Sequence, residues 1–110
     1  MKKNQPEQRK NHLNLTKHAR ARLTERGLWP ALPDISKICY DQNAPRYFDR
    51  STSGRPVQRI EADGVLIVVG GDPGGQELTL VTVHSGSEFG ARACARIAQI
   101  YRNLGKEVAA

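Results

Sequence analysis

One stretch restricts the fold more than any other: "ADGVLIVVGGDPGGQELTLVTVH", residues 62 to 84, where a continuous apolar run rich in valine lies between two glycine-bearing turns. Side chains branched at Cβ lose rotamer freedom in a helix and pack well on a pleated surface. An Asp-Gly pair between strands suits a two-residue hairpin, because both central residues of that turn need positive φ. Residues 65 to 71 are therefore expected as a central, buried strand. It pairs with "RPVQRIEA" before it and, across the turn "DPGGQ", with "ELTLVTVH" after it. In the first partner Val57, Arg59 and Glu61 alternate with Gln58, Ile60 and Ala62. In the second, Leu78, Leu80, Thr82 and His84 alternate with Thr79, Val81 and Val83. "RYFDR", separated by the turn "STSG", supplies a fourth strand in meander order.

Helical signals flank the sheet. In "LTKHARARLTERGL" Thr16 is a good N-cap, Leu15, Ala19 and Leu23 recur at fourfold spacing, and Gly27 offers a C-terminal stop. "LWPALPDISKICYDQ" has prolines suited to the start of a second helix, with Ile35, Ile38 and Cys39 inward. Between Ser87 and Leu104 a third stripe carries Phe89, Ala93, Ile97, Ile100, Tyr101 and Leu104, and Ser85 or Ser87 is placed to cap it. The expected architecture is α+β: two N-terminal helices, a four-stranded antiparallel meander, and a C-terminal helix packed on the sheet. At 110 residues this is one domain, spanning residues 15 to 110, preceded by a flexible basic tail at residues 1 to 14.

Charge separates that first part from the remainder. The net charge is +6, and residues 1 to 26 carry eight Lys or Arg against Glu7 and Glu25, whereas the rest of the chain is balanced. All the excess positive charge lies in the first quarter, which points to an anionic partner or to a solvated basic tail. Cys39 and Cys94 have no metal-ligand spacing and read as reduced thiols, so neither zinc nor a disulfide framework is expected. The absence of a long apolar run argues against a membrane span, and the basic start lacks the apolar segment of a secretory signal, so the expected site of action is cytoplasmic.

The candidate chemistry sits on the first helix and the last strand. His18, Arg22 and Glu25 or Arg26 follow at three- and four-residue spacing and share a helical face. His84 ends its strand at a corner where polar side chains converge, with Thr82 on its side of the sheet. A structural reading has both histidines packed and the arginines solvated. A functional reading has His18 and His84 exchanging protons, Arg22 and Arg26 positioning phosphate and Thr82 orienting the phosphate or a histidine, with Lys17, Arg20, Arg26 and Arg59 gripping a nucleic-acid backbone. Cleavage of RNA needs such a base, an acid and cations around the phosphorus. Other chemistry fits less well. "VVGGDPGG" lacks the Lys-Ser/Thr of a phosphate loop, so no nucleotide cofactor is expected. The serine in "VHSGS" has no third triad member. The few aromatics do not form the stacking pattern of a single-strand-binding sheet, although Tyr47 or Tyr101 could assist a cleft.

The combination of His18, Ala19, Arg22, Arg26 and Gly27 with the later Thr82-Val83 resembles a family of small, uncharacterised bacterial domains. Those domains begin with a His-Ala-x-x-Arg-x-x-x-Arg-Gly helix and look related to RelE-like and barnase-like ribonuclease toxins. The resemblance covers roughly residues 15 to 84. It implies a metal-independent toxin-type endoribonuclease with RNA as substrate, no cofactor and a possible cognate antitoxin or immunity protein. His18, Arg22 and Thr82 are the matched polar positions. The long helix after the sheet departs from the shortest members and could cover the sheet, bind such a partner or bind a second copy. The alternative is a non-catalytic nucleic-acid- or protein-binding regulatory module of the same fold, and a third is an interaction domain whose basic residues only solubilise it.

Overall fold

In a computed structural model, the described residues are 12–71 and 75–109. The elements are β1 (His12–Leu15), α1 (Lys17–Arg26), a 3-10 turn (Trp29–Ala31), α2 (Leu32–Tyr40), β2 (Arg46–Arg50), β3 (Pro56–Ala62), β4 (Val65–Gly70), β5 (Glu77–His84) and α3 (Gly90–Ala109). They form an α+β fold whose five-stranded sheet has the order β1-β5-β4-β3-β2. The antiparallel meander from β2 to β5 is the expected one, and the Asp63-Gly64 turn has the positive φ values, 49° and 81°, that its hairpin requires.

The added strand, β1, corrects the expected boundary of the tail. Residues 12 to 14, assigned to that tail, instead pair parallel to β5, with Leu13 opposite Leu78 and Leu15 opposite Leu80. Residues 1 to 11 lie outside the described residues. Thr16 then ends the strand and starts the helix. Its backbone N–H donates to the Leu80 carbonyl at 3.1 Å, its hydroxyl donates to the Val81 carbonyl at 3.1 Å, and the same hydroxyl accepts from the Ala19 N–H at 3.0 Å. α1 thus continues along β5 where β1 stops. Its far end closes on Gly27 at φ 66°, with Leu28 N–H bonded back to the Leu23 carbonyl at 2.8 Å.

Helices cover one face of the sheet. Ala19, Leu23, Leu28, Ile35 and Ile38 meet Ile60, Ile67, Val69, Leu80 and Val83 in one core. α3 joins it through Ala93, Ile97, Ile100 and Leu104, with α2 and the 3-10 turn as its principal neighbours. Three expectations change here. The C-terminal helix, expected on the sheet, packs chiefly against α2 and the 3-10 turn rather than directly against the strands. α3 begins at Gly90, so Phe89 precedes the helix and is 52% exposed rather than part of its apolar stripe. The alternation expected along β5 also breaks. Leu80 pairs with Val69 and Thr82 with Val68, leaving Val81 as a bulge. Past that extra residue the side chains change face, so Val83 joins Leu78 and Leu80 in the core, while Thr82 and His84 turn to the opposite face. Unbroken alternation would have buried both among the leucines.

Candidate functional site

The face turned away from the core carries a row of register partners, Tyr47, Arg59, Val68 and Thr82, running across β2, β3, β4 and β5. His84 lies in the next row, opposite Leu66. α1 borders this face because it flanks β5, and its sequence decides which side chains point there. Ala19 and Leu23 enter the core. At 3.6 residues per turn, His18, Arg22 and Arg26 succeed one another along an adjacent edge.

His84 is the centre of the cluster. Partial burial holds its imidazole below the ordinary histidine value, and the positive charges of Arg22 and Arg26 and the nearby His18 push it further in the same direction. The four side chains therefore occupy one neighbourhood. Both guanidiniums are anchored on one side only. Arg22 Nη1 pairs with Glu25 Oε1 at 3.0 Å. Arg26 Nη1 donates to Ser85 Oγ at 3.3 Å and to the Gly86 carbonyl at 3.1 Å, and its guanidinium lies 4.9 Å from the Phe89 ring centroid. The Nε atoms of both arginines and the Thr82 hydroxyl are buried and, among the described residues, hydrogen-bonded to nothing. Buried donors almost always have partners, so three such groups on one wall require an explanation. All three are covered by neighbouring side chains, so a ligand reaches them only when those side chains shift.

The remaining candidates divide. Arg59 shares the Thr82 row but stands two strands away, about 10 Å at the usual strand spacing, and its Nε is paired with Asp49 Oδ2 at 2.9 Å. Lys17 and Arg20 are exposed. Arg20 does not join the His18/Arg22 edge, because a two-residue step rotates a helical side chain by about 200°. Tyr47 is on the row, and Tyr101 packs at the edge of the core on the other side of the sheet.

Other reactive groups are otherwise engaged. Burial pushes the Cys39 thiol up to about 12, which removes it as a nucleophile. A cavity of about 380 Å³ lined by Asp63, Gly64, Ser85, Gly86, Ser87, Glu88 and Arg96 adjoins the wall. Its charges are mutually satisfied, with Arg96 bonded to Glu88 at 2.5 Å and to Asp63 at 3.0 Å, so it braces the β3–β4 hairpin against the start of α3. Among the described residues, no three His, Cys, Asp or Glu side chains are grouped to hold a metal, and no helix is long and apolar enough to cross a membrane.

Sequence reasoning missed the anchoring of Arg26 by Ser85 and Gly86 and the exposure of Phe89. The signal available was the glycine on each side of "SEF", marking a turn where a helix start was expected. The geometry defines a class: an α+β domain with a basic, two-histidine wall where its first helix borders its last sheet strand. Comparison with known proteins returns no matching family model, no matching curated protein and no matching solved structure.

Proposed function

We propose that this wall cleaves RNA, making the protein a metal-independent endoribonuclease of the toxin type. The observation that carries the reading is the set of three buried, unpartnered donors, Arg22 Nε, Arg26 Nε and Thr82 Oγ1, around a histidine with a depressed pKa. On this reading the side chains covering them shift to admit a phosphodiester, and the two Nε–H groups and the hydroxyl then donate to its non-bridging oxygens, where negative charge grows in the transition state. His84, neutral at physiological pH, accepts the proton of the ribose 2′-hydroxyl. That oxygen bonds to phosphorus as the bond to the 5′-oxygen breaks, and His18, exposed on the helix edge, gives a proton to the departing oxygen. The products are a 2′,3′-cyclic phosphate and a 5′-hydroxyl end.

The test is incubation of the purified full chain with RNA in excess chelator, followed by mass spectrometry of the new ends. Cyclic phosphate ends are expected, with activity falling about 10²- to 10⁴-fold in His84→Ala and in His18→Ala. Intact RNA at high protein concentration would refute the proposal. A second reading, a non-catalytic nucleic-acid-binding module, uses the same arginine donors without proton transfer. RNA that is bound but uncut, equally by the wild type and both histidine variants, selects it.

A further inference from the structure

Phe89 is an exposed aromatic ring on a fixed piece of chain. Its preceding residue is held three ways: Glu88 N–H donates to the Ser85 carbonyl at 3.2 Å, Ser85 Oγ donates to the Glu88 carbonyl at 2.5 Å, and Arg96 Nε donates to the Glu88 carboxylate at 2.5 Å. The following residue, Gly90, has φ 62° and turns the chain into α3. The 52% exposure of the ring is thus built into a braced turn. Arg26 stacks on it at 4.9 Å, the same arginine that is bonded to buried Ser85 and has its Nε unpartnered on the wall.

A phosphate held by Arg26 would set its attached nucleotide beside this ring, whose centroid is 4.9 Å from the guanidinium. A phenyl ring has no hydrogen-bonding group with which to read a base edge, but it offers a flat face that stacks on any base, and more strongly on a larger one. A guanidinium behind the ring extends the same platform. We infer that Phe89, backed by Arg26, is the stacking site for the nucleobase adjoining the bound phosphate. This rests on the reading of the Arg22/Arg26/Thr82 wall as a phosphodiester site.

The probes are two short oligonucleotides of equal charge that cannot be cleaved, 2′-O-methyl oligoadenylate and its fully abasic counterpart, with affinity read by fluorescence anisotropy at fixed salt. Phe89→Ala and Phe89→Leu are expected to bind oligoadenylate roughly 10-fold more weakly than the wild type. Phe89→Trp is expected to match or exceed it, and all variants should bind the abasic strand equally. Circular dichroism checks that each variant is folded. An equal loss on both strands, or full affinity in Phe89→Leu, assigns the ring to packing and overturns the inference. Unchanged binding by every Phe89 variant, with cleavage by the wild type intact, overturns this inference alone. A wild type that neither binds nor cuts RNA overturns the phosphodiester site as well.

Discussion

Replacing Thr82 by valine exchanges one buried hydroxyl for a methyl group of nearly the same size, and the structure predicts opposite consequences for stability and activity. Thr82 Oγ1 is buried and, among the described residues, accepts and donates no hydrogen bond. A hydroxyl buried without a partner costs about 1–3 kcal/mol in proteins. The residue as a whole is only partly buried, which favours the lower end of that range. Thr82→Val is therefore expected to stabilise the fold by about 1 kcal/mol, raising Tm by roughly 4–8 °C for a domain of this size. In the proposed reaction the same change removes a donor to the phosphorane, and removal of one such donor lowers kcat by about 10²- to 10³-fold in other enzymes. Thermal denaturation and RNA cleavage on the same preparation measure both effects, with Thr82→Ser as the variant that keeps the donor. A Thr82→Val protein that is less stable than the wild type by 1 kcal/mol or more, or one that cleaves equally well, would refute the reasoning, since the hydroxyl would then serve the fold.

Further outcomes follow from other residues. His84 titrates below the ordinary histidine value because of burial and the charges of Arg22, Arg26 and His18. Between the folded and ordinary values the unfolded chain binds more protons, so this group's contribution to stability is present above the ordinary value and is lost as pH falls through the folded one. An NMR titration of His84 checks the direction, and Arg22→Gln should raise both its pKa and the acid limb of kcat/KM. Gly27→Ala places a Cβ 3.2 Å from the Gly90 Cα at φ 66°, which should cost at least about 1–2 kcal/mol by chemical denaturation. Arg46 donates to the Asp41 carbonyl at 2.7 Å, to the Cys39 carbonyl at 3.2 Å and to Gln58 Oε1 at 2.6 Å. Arg46→Met should accordingly lose about 2–3 kcal/mol of stability while its folded fraction cleaves RNA at the wild-type rate.

The hairpins and α1 were legible because their signals are local: Asp63-Gly64 at positive φ, Thr16 at the N-cap and Gly27 at the C-terminal stop. β1 was not. Its four residues, "HLNL", are too few to show a period, and what makes them a strand is parallel pairing with residues 77 to 80, far along the chain. The shared edge of His18, Arg22 and Arg26 was legible from helical spacing, but its approach to His84 was not, because that depends on α1 lying along β5. The face on which Thr82 and His84 emerge was not, since "LTLVTVH" alternates without a visible fault at Val81. Phe89 was misread for a related reason. Its spacing fits the apolar stripe of α3, but the turn held by Ser85, Glu88 and Gly90 delays the helix until the ring has passed outside it.

The bulge and the helix edge have a common origin at Thr16. Beside residues 77 to 80, β5 has β1 as its neighbour, and at Thr79 and Leu80 it is paired on both sides. Beside Val81 that neighbour has become α1, whose backbone bonds are directed along its own axis and cannot continue a ladder. The Val81 carbonyl would be left without its sheet partner there, and Thr16 supplies the hydroxyl that donates to it. The same hydroxyl caps the helix that bears His18, Arg22 and Arg26. One side chain thus joins the residue whose bulge turns Thr82 and His84 outward to the first turn of the helix that faces them. The two halves of the wall lie some sixty residues apart in sequence, yet the Thr16 hydroxyl, its backbone N–H bond to Leu80, the Arg26 bonds to Ser85 and Gly86 and the packing of Ala19 and Leu23 hold them side by side. Such rigid joining suits groups that act together on one phosphate, because displacements of about 1 Å between reacting groups are enough to cost two orders of magnitude in rate.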